Sequence, residues 1–475
     1  MKTGRIISRL FVVLCSITVL ATSAAAQGIH LPPHEKVILK NGMTVLLLEK
    51  KGVPIVSFSA IVKAGTIADP AGKEGVADLT SGLLRKGTKT RTAQQFAAEV
   101  DFTGGSFDAG ADVDFTTISG EFLTKDLARG LDLFSDAILH PTFPKEETDK
   151  ALAQQRDGIK AEKDDAGSVL NIYFSGYLYG DHSYGRPESG DEISLQNVGR
   201  DDIAKFYESY YTPENTILAI AGEFNSAELQ KKVEDLFGAW QAKPSAAAKL
   251  SAAAAVKGKK LLLIDKPDST QTYFEIGNLG TAVGDPDRFT LRVVNTIFGG
   301  RFTSRLNEAL RVESGLTYGA NSTFLSHKAP GSFLIASYTR NATTVKAIDL
   351  ALEVLDKLHK TGVTAEELKS AKSYIKGQFP PQIETSGQLA RRIAGNEFYG
   401  IDDNDVNQLE ARVDAVTPEM AKAAIQKHFP NENLVFVLIG KASEIGPEVK
   451  KYAEKQDARK ISEPGFWPPK EEVKK

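Results

Sequence analysis

The residues able to do chemistry in this chain are few and scattered. Seven histidines, His30, His34, His140, His182, His327, His359 and His428, are spread over 475 residues. Only His30 and His34 lie close together, and Pro32-Pro33 between them forbids the helix that would put both on one face. That pair reads as solvated lead-in chain. No Gly-x-Ser-x-Gly elbow, phosphate loop or dinucleotide fingerprint occurs. Residues 74–85 carry Val76, Leu79, Leu83 and Leu84 at helical spacing, with Asp78, Ser81 and Gly82 between them. Asp78 could bind a metal weakly, Gly82 four residues on has no side chain, and Ser81 is a poor general base. A hydrolytic zinc site needs about three protein ligands, a water and a neighbouring carboxylate base. This helix offers one of them at most.

The elements around it follow an α+β plan. Residues 44–48 and 55–62 are apolar, β-branched runs bounded by glycine or charge, as strands should be. Thr92 followed by Gln95 forms a capping box that opens a further helix, and Leu127, Leu131, Phe134 and Ile138 mark another. Strand runs and helix runs are grouped, which predicts sheets with helices packed on one face.

That plan is used twice. Residues 198–222 (VGRDDIAKFYESYYTPENTILAIAG) and 416–440 (VTPEMAKAAIQKHFPNENLVFVLIG) correspond at an offset of 218. Each gives a helix, an aromatic pair, a Glu-Asn turn, an apolar strand and a glycine, and we read an internal duplication. The predicted halves are residues 27–242 and 261–463, joined by an alanine-rich linker at 243–260. A tail follows at 464–475, where Phe466 and Trp467 could pin the start of an otherwise proline-rich, charged end.

The first 26 residues read as a secretory signal peptide. Lys2, Arg5 and Arg9 precede an apolar run too short for a membrane span, and Ala24-Ala25-Ala26 supplies a cleavage site. Cys15 lies inside that run, with apolar sequence continuing past it, which argues against a lipid anchor there. Cleavage leaves 449 residues without cysteine, so the fold must rest on a large core rather than on disulfides. Loss of the three basic residues takes the net charge from −3 to −6, which gives no electrostatic case for nucleic acid or anionic membrane as a partner. A bacterial periplasm is the expected compartment.

Residues 75–88, GVADLTSGLLRKGT, resemble the zinc-binding helix of the pitrilysin/insulinase peptidases, whose frame reads roughly G-x-A-H-x-x-E-H-x-x-x-K-G-T. KNGMTVLLLE near Lys40, GGSFDAGADVDFT near Gly104, the YYTPEN turn and FGGRFTSRLNEALRVESGLTYG at 298–319 extend the resemblance over nearly the whole mature chain. It implies two similar α+β halves facing each other as a clamshell. It also implies that Asp78 and Gly82 stand where the family has histidine ligands, and Ser81 where it has the base. The third ligand, a glutamate just before an isoleucine, falls on Asp157 and Gly158, ahead of Ile159. No metal is therefore expected in this chain.

The resemblance assigns a different role to the second half. RVESGLTY at 311–318 is similar to the family's R-E-x-x-G-L-x-Y segment, whose arginine and tyrosine hold the substrate carbonyl and stabilise the oxyanion. Arg311 and Tyr318 match, whereas Val312 replaces the usual glutamate. A guanidinium and a phenol are good donors to a developing oxyanion. Two readings follow. In the first, this chain is the zinc-less subunit of a heteromeric peptidase acting on unfolded peptides, with a secreted homologue that keeps H-x-x-E-H and its zinc. In the second, it is a non-catalytic structural or peptide-binding protein that retained the fold.

Overall fold

A computed structural model describes residues 30–243 and 250–467. The signal-peptide reading lies outside the described residues, as do part of the linker and the end of the tail. Two six-stranded sheets organise the chain. The first has the order β1-β2-β6-β3-β5-β4, with β1 Glu35–Ile38, β2 Thr44–Glu49, β3 Ile55–Val62, β4 Ser106–Ala111, β5 Thr116–Leu123 and β6 Thr216–Gly222. The second has the order β12-β7-β11-β8-β10-β9, with β7 Lys260–Asp265, β8 Gln271–Leu279, β9 Ala320–Leu325, β10 Ser332–Arg340, β11 Val435–Gly440 and β12 Lys455–Lys460.

The duplication is visible in the topology. In each sheet a parallel pair, β2/β6 or β7/β11, is flanked by an antiparallel run, and only the outermost strand differs: β1 is antiparallel to β2, β12 parallel to β7. The helices Arg200–Tyr210 and Pro418–His428 are related by the same offset of 218 residues. The two strand runs read from the sequence, the helix Val76–Leu83 and the Thr92–Gln95 capping box all form.

Each sheet has its own helices on one face, as the grouping of elements implies. Its second face is covered as well, by a helix from the other half. Val169, Leu170, Tyr173 and Phe174 of helix Ala166–Tyr179 share a core with Leu262, Ile264, Val435 and Val437 of the second sheet. Leu389, Ala390 and Ile393 of helix Ser386–Tyr399 share the other core with Leu46, Leu48, Ile61 and Ile217 of the first. This exchange explains the uninterrupted apolar runs of β6 (TILAIAG) and β11 (VFVLIG). A strand with both faces covered has no solvent side to alternate toward, and every residue of both strands is buried.

A polar knot also ties the halves. The Asp114 carboxylate, 2 % exposed, accepts from Tyr184 Oη at 2.8 Å, from Lys328 N at 2.6 Å and from Tyr399 Oη at 3.4 Å. Ala329 N donates to the same Tyr184 hydroxyl at 3.0 Å. Asp114→Asn keeps the shape but loses the charge that strengthens these bonds, so we expect a loss of about 1–2 kcal/mol. A unchanged urea midpoint would show the knot to be incidental.

The remaining segments are held more firmly than their composition suggests. Residues 250–259 have no regular secondary structure, yet Leu250, Ala253 and Val256 pack on the first core. The lead-in is docked rather than solvated: Leu31 N donates to Asn407 Oδ1 at 2.8 Å, and His34 Nδ1 lies 3.6 Å from Asp403. The tail is pinned at its start by Phe466 on Tyr173 and Trp467 on Tyr177. Among the described residues no helix is long and apolar enough to cross a membrane.

Candidate functional site

The helix Val76–Leu83 is built to be positioned accurately. Gly75 precedes it with φ 96°, and a Cβ there would come within 2.8 Å of Ser189 O, so glycine is required. Gly75 N and Ala77 N both donate to the Asp69 carboxylate at 2.8 Å, capping the first turn. The helix packs on helices Lys145–Glu162 and Arg200–Tyr210 and on β4 and β5. All four belong to its own half.

The polar side chains of this helix are engaged by the chain's own groups. The Ser81 hydroxyl donates to Asp78 O at 2.7 Å and is buried, so it is committed to its own helix rather than to a water. Burial raises the Asp78 pKa; hydrogen bonds from Ser189 and from the Ala111 amide on the sheet's edge strand lower it, and Glu162 raises it. Across from it, Gln155 Nε2 donates to Ser189 O at 2.6 Å and to Asp78 Oδ2 at 3.4 Å. Gln155, Gly158 and Glu162 are spaced i, i+3, i+7, so one stripe of helix Lys145–Glu162 faces Asp78. Gly158 is the empty position in that stripe, and a Cβ there or at Gly82 would meet no heavy atom within 4 Å. Asp157 points elsewhere: its side chain is 80 % exposed and pairs with Lys160 at 3.9 Å. Glu162 and Glu188 act on Asp78 through charge, but among the described residues no three ligand atoms here come within 4.8 Å of one another, so the donors present do not fit a tetrahedral zinc site.

One other group of candidate ligands exists among the described residues. Asp285, Asp287 and His428 bring their atoms within 4.8 Å of one another. Lys427 Nζ already sits 2.9 Å from Asp287, as does His428 Nε2, and the two hold that carboxylate below its usual pKa. The cluster is an ion-paired link between two helices, and His428 belongs to it rather than standing alone.

In the second half, Arg311 lies in a π-helical segment, Glu308–Glu313, which continues the short helix Arg305–Asn307. Its guanidinium stacks on Phe302, 4.6 Å from the ring centroid, and lines a cleft of about 840 Å³. Tyr318 precedes β9 by two residues and is 76 % exposed; it is not among the residues lining that cleft. Gly299, Gly300 and Arg301 of the FGGR segment form part of the cleft wall. Gly299 has a packing reason, since a Cβ would meet Ser322 N at 2.4 Å where the loop docks on edge strand β9, and Ser322 N donates to Gly299 O.

The cleft contains residues that pattern reading passed over. Glu275 on β8 is 6 % exposed and lines it, together with Tyr273 and Tyr338. The available signal was a lone acid inside the strand run QTYFEIGNL. Burial pushes the Glu275 carboxyl up to about 7, only partly offset by Asn171, whose Nδ2 lies 3.2 Å away.

Residues 44–186 match the model for insulinase, peptidase family M16, and residues 197–375 match that for the peptidase M16 inactive domain. An uncharacterised zinc protease of Bacillus subtilis is 25 % identical over 393 residues, covering 83 % of this chain and 95 % of the relative. One from Rickettsia bellii is 28 % identical over 361 residues, covering 75 % and 86 %. A crystal structure described as the peptidase M16 inactive domain from Pseudomonas fluorescens superposes with a TM-score of 0.81 at 26 % identity, covering 86 % of this chain and 98 % of the other. A protease from Helicobacter pylori shares the fold, with a TM-score of 0.80 at 21 % identity, covering 86 % and 100 %. With two sheet-and-helix halves in this order and both family models matched, the chain belongs to the pitrilysin/insulinase family, peptidase family M16.

Proposed function

We propose that this chain is the non-zinc-binding subunit of a heteromeric zinc metallopeptidase that acts on unfolded peptides, exported to a bacterial periplasm. The observation that carries this reading is the contrast between the halves. The first keeps the helix, its glycine entry and its carboxylate cap, but has lost ligands and base at Asp78, Ser81, Gly82 and Gly158. The second keeps Arg311 on the wall of a large cleft. The partner is a secreted homologue with an intact H-x-x-E-H, which supplies zinc and water. This chain supplies peptide binding and, through Arg311 and Tyr318, donors to the carbonyl oxygen as it gains charge.

Hydrolysis of a quenched, unstructured peptide tests the assignment. The mature chain, the homologue and their mixture are assayed with zinc controlled. Turnover confined to the mixture and lost on chelation supports the proposal. A mixture no faster than the homologue alone overturns it, and a complex that forms without turnover leaves a peptide-holding scaffold. Arg311→Ala is expected to lower kcat/KM of the mixture about 100–1,000-fold, the scale of one lost oxyanion donor, without dissociating the subunits. Tyr318→Phe, at an exposed position, should act in the same direction and more weakly. Unchanged turnover in both variants removes the role assigned to the pair.

A further inference from the structure

We propose that the Glu275 end of the cleft is a subsite for a cationic side chain, lysine or arginine, of a peptide whose backbone passes Arg311; this rests on the reading of the cleft as a peptide site. Three independent features of one sheet face converge there. Glu275 is a carboxylate buried with one neutral hydrogen-bond partner, Asn171 of the crossing helix, at 3.2 Å. Two residues earlier on the same face of β8, Tyr273 stacks on its cross-strand neighbour Tyr338, with centroids 5.3 Å apart and planes at 20°. Directly opposite Glu275 on β10 stands Ala336, which leaves the space beside the carboxylate unfilled. An acid beside a stacked tyrosine pair and facing open volume is complementary to a partly desolvated ammonium or guanidinium.

The duplication provides an internal control. Glu275 pairs with Val437 of β11, and the residue that pairs with Val437's counterpart Ala219 on β6 is Ser59. The same architectural position in the first half therefore holds a serine. The fold has no need of an acid there, and burying one is unfavourable unless something pairs with it.

The two arginines of the cleft are otherwise engaged. Arg311 stacks on Phe302, while Arg301 donates to Ser370 Oγ at 2.9 Å and lies over Tyr374. The cleft is thus polarised, with a basic end suited to peptide carbonyls and an acidic, aromatic end suited to a cation.

Fluorescence anisotropy with two short unstructured peptides, identical except for arginine or the uncharged isostere citrulline at one position, tests the subsite on the full mature chain. The arginine peptide is expected to bind about tenfold tighter. Glu275→Gln should reduce that preference to about twofold or less while leaving citrulline-peptide affinity unchanged. Ala336→Leu, which fills the space without altering the charge, should likewise reduce the preference and serves if the first variant folds poorly. Equal binding of both peptides to the natural chain overturns the subsite and leaves the peptide reading intact. Binding of neither overturns the peptide reading, and the subsite with it.

Discussion

Asp78→His, Ser81→Glu, Gly82→His and Gly158→Glu, made together, are expected to produce a chain that retains about one zinc ion through dialysis, where the natural chain retains none. The backbone that the family resemblance calls for is already in place. The helix is capped by Asp69, entered through Gly75 and packed on the Lys145–Glu162 helix. Gly82 and Gly158 both have open space where a Cβ would stand, so neither new side chain clashes at its first atom. Each also replaces glycine within a helix, worth a few tenths of a kcal/mol of helix propensity. Glu162 already adds negative potential near Asp78, which favours a cation. Ser81→Glu is the demanding change, because Ser81 is buried and its bond to Asp78 O is lost. Loss of a mere supporting partner lowers zinc affinity about 10–100-fold; with its ligands gone, the natural chain should fall at least about a thousandfold short. Metal analysis of the dialysed quadruple variant, with circular dichroism to show that it folds, decides the matter. A folded variant without zinc would mean that the frame's register, or the choice of Gly158, is wrong.

The same contrast shows what a sequence can carry. Local rules placed β2, β3, the Val76–Leu83 helix and the Thr92 cap, because each depends on neighbours within a few residues. The duplication was legible because an equal offset relates two helices and two strands. The helix exchange was not: Val169 and Leu389 look like ordinary core residues, and nothing local says that each serves the opposite half. The docked His34 and the Asp114 knot escaped for the same reason, since their partners lie hundreds of residues away. At the site, the family frame pointed to Asp78, Ser81 and Gly82, and family matching singled out Arg311 and Tyr318. Glu275 needed the structure, because only the fold puts it with Tyr338, 63 positions further along, on one face of a cleft.

Glu275→Gln is expected to stabilise the ligand-free chain by roughly 3 kcal/mol at pH 8 and to leave it nearly unchanged below about pH 4.5. Burial raises the Glu275 carboxyl from its ordinary 4.5 to about 7, with Asn171 partly offsetting the shift. The native state therefore binds the proton more tightly than the unfolded state does. Stability is fully present below the unfolded pKa, falls as pH rises toward about 7, and levels off above it. Between those limits lie about 2.5 units at 1.36 kcal/mol each, which sets the size of the effect. The groups facing the carboxylate are Asn171 from the crossing helix, with Tyr273, Ala336 and Tyr338 on the sheet, and none of them is a counter-cation. Urea unfolding of both chains at pH 5 and pH 8 measures the difference, and equal pH slopes would show that the carboxylate is better solvated than its burial implies. A residue that weakens the empty protein this much, at a position where the duplicated half manages with Ser59, is explained by what it binds. The arginine peptide should accordingly stabilise the natural chain at pH 8 more than it stabilises Glu275→Gln, which turns an instability of the free chain into selectivity of the loaded one.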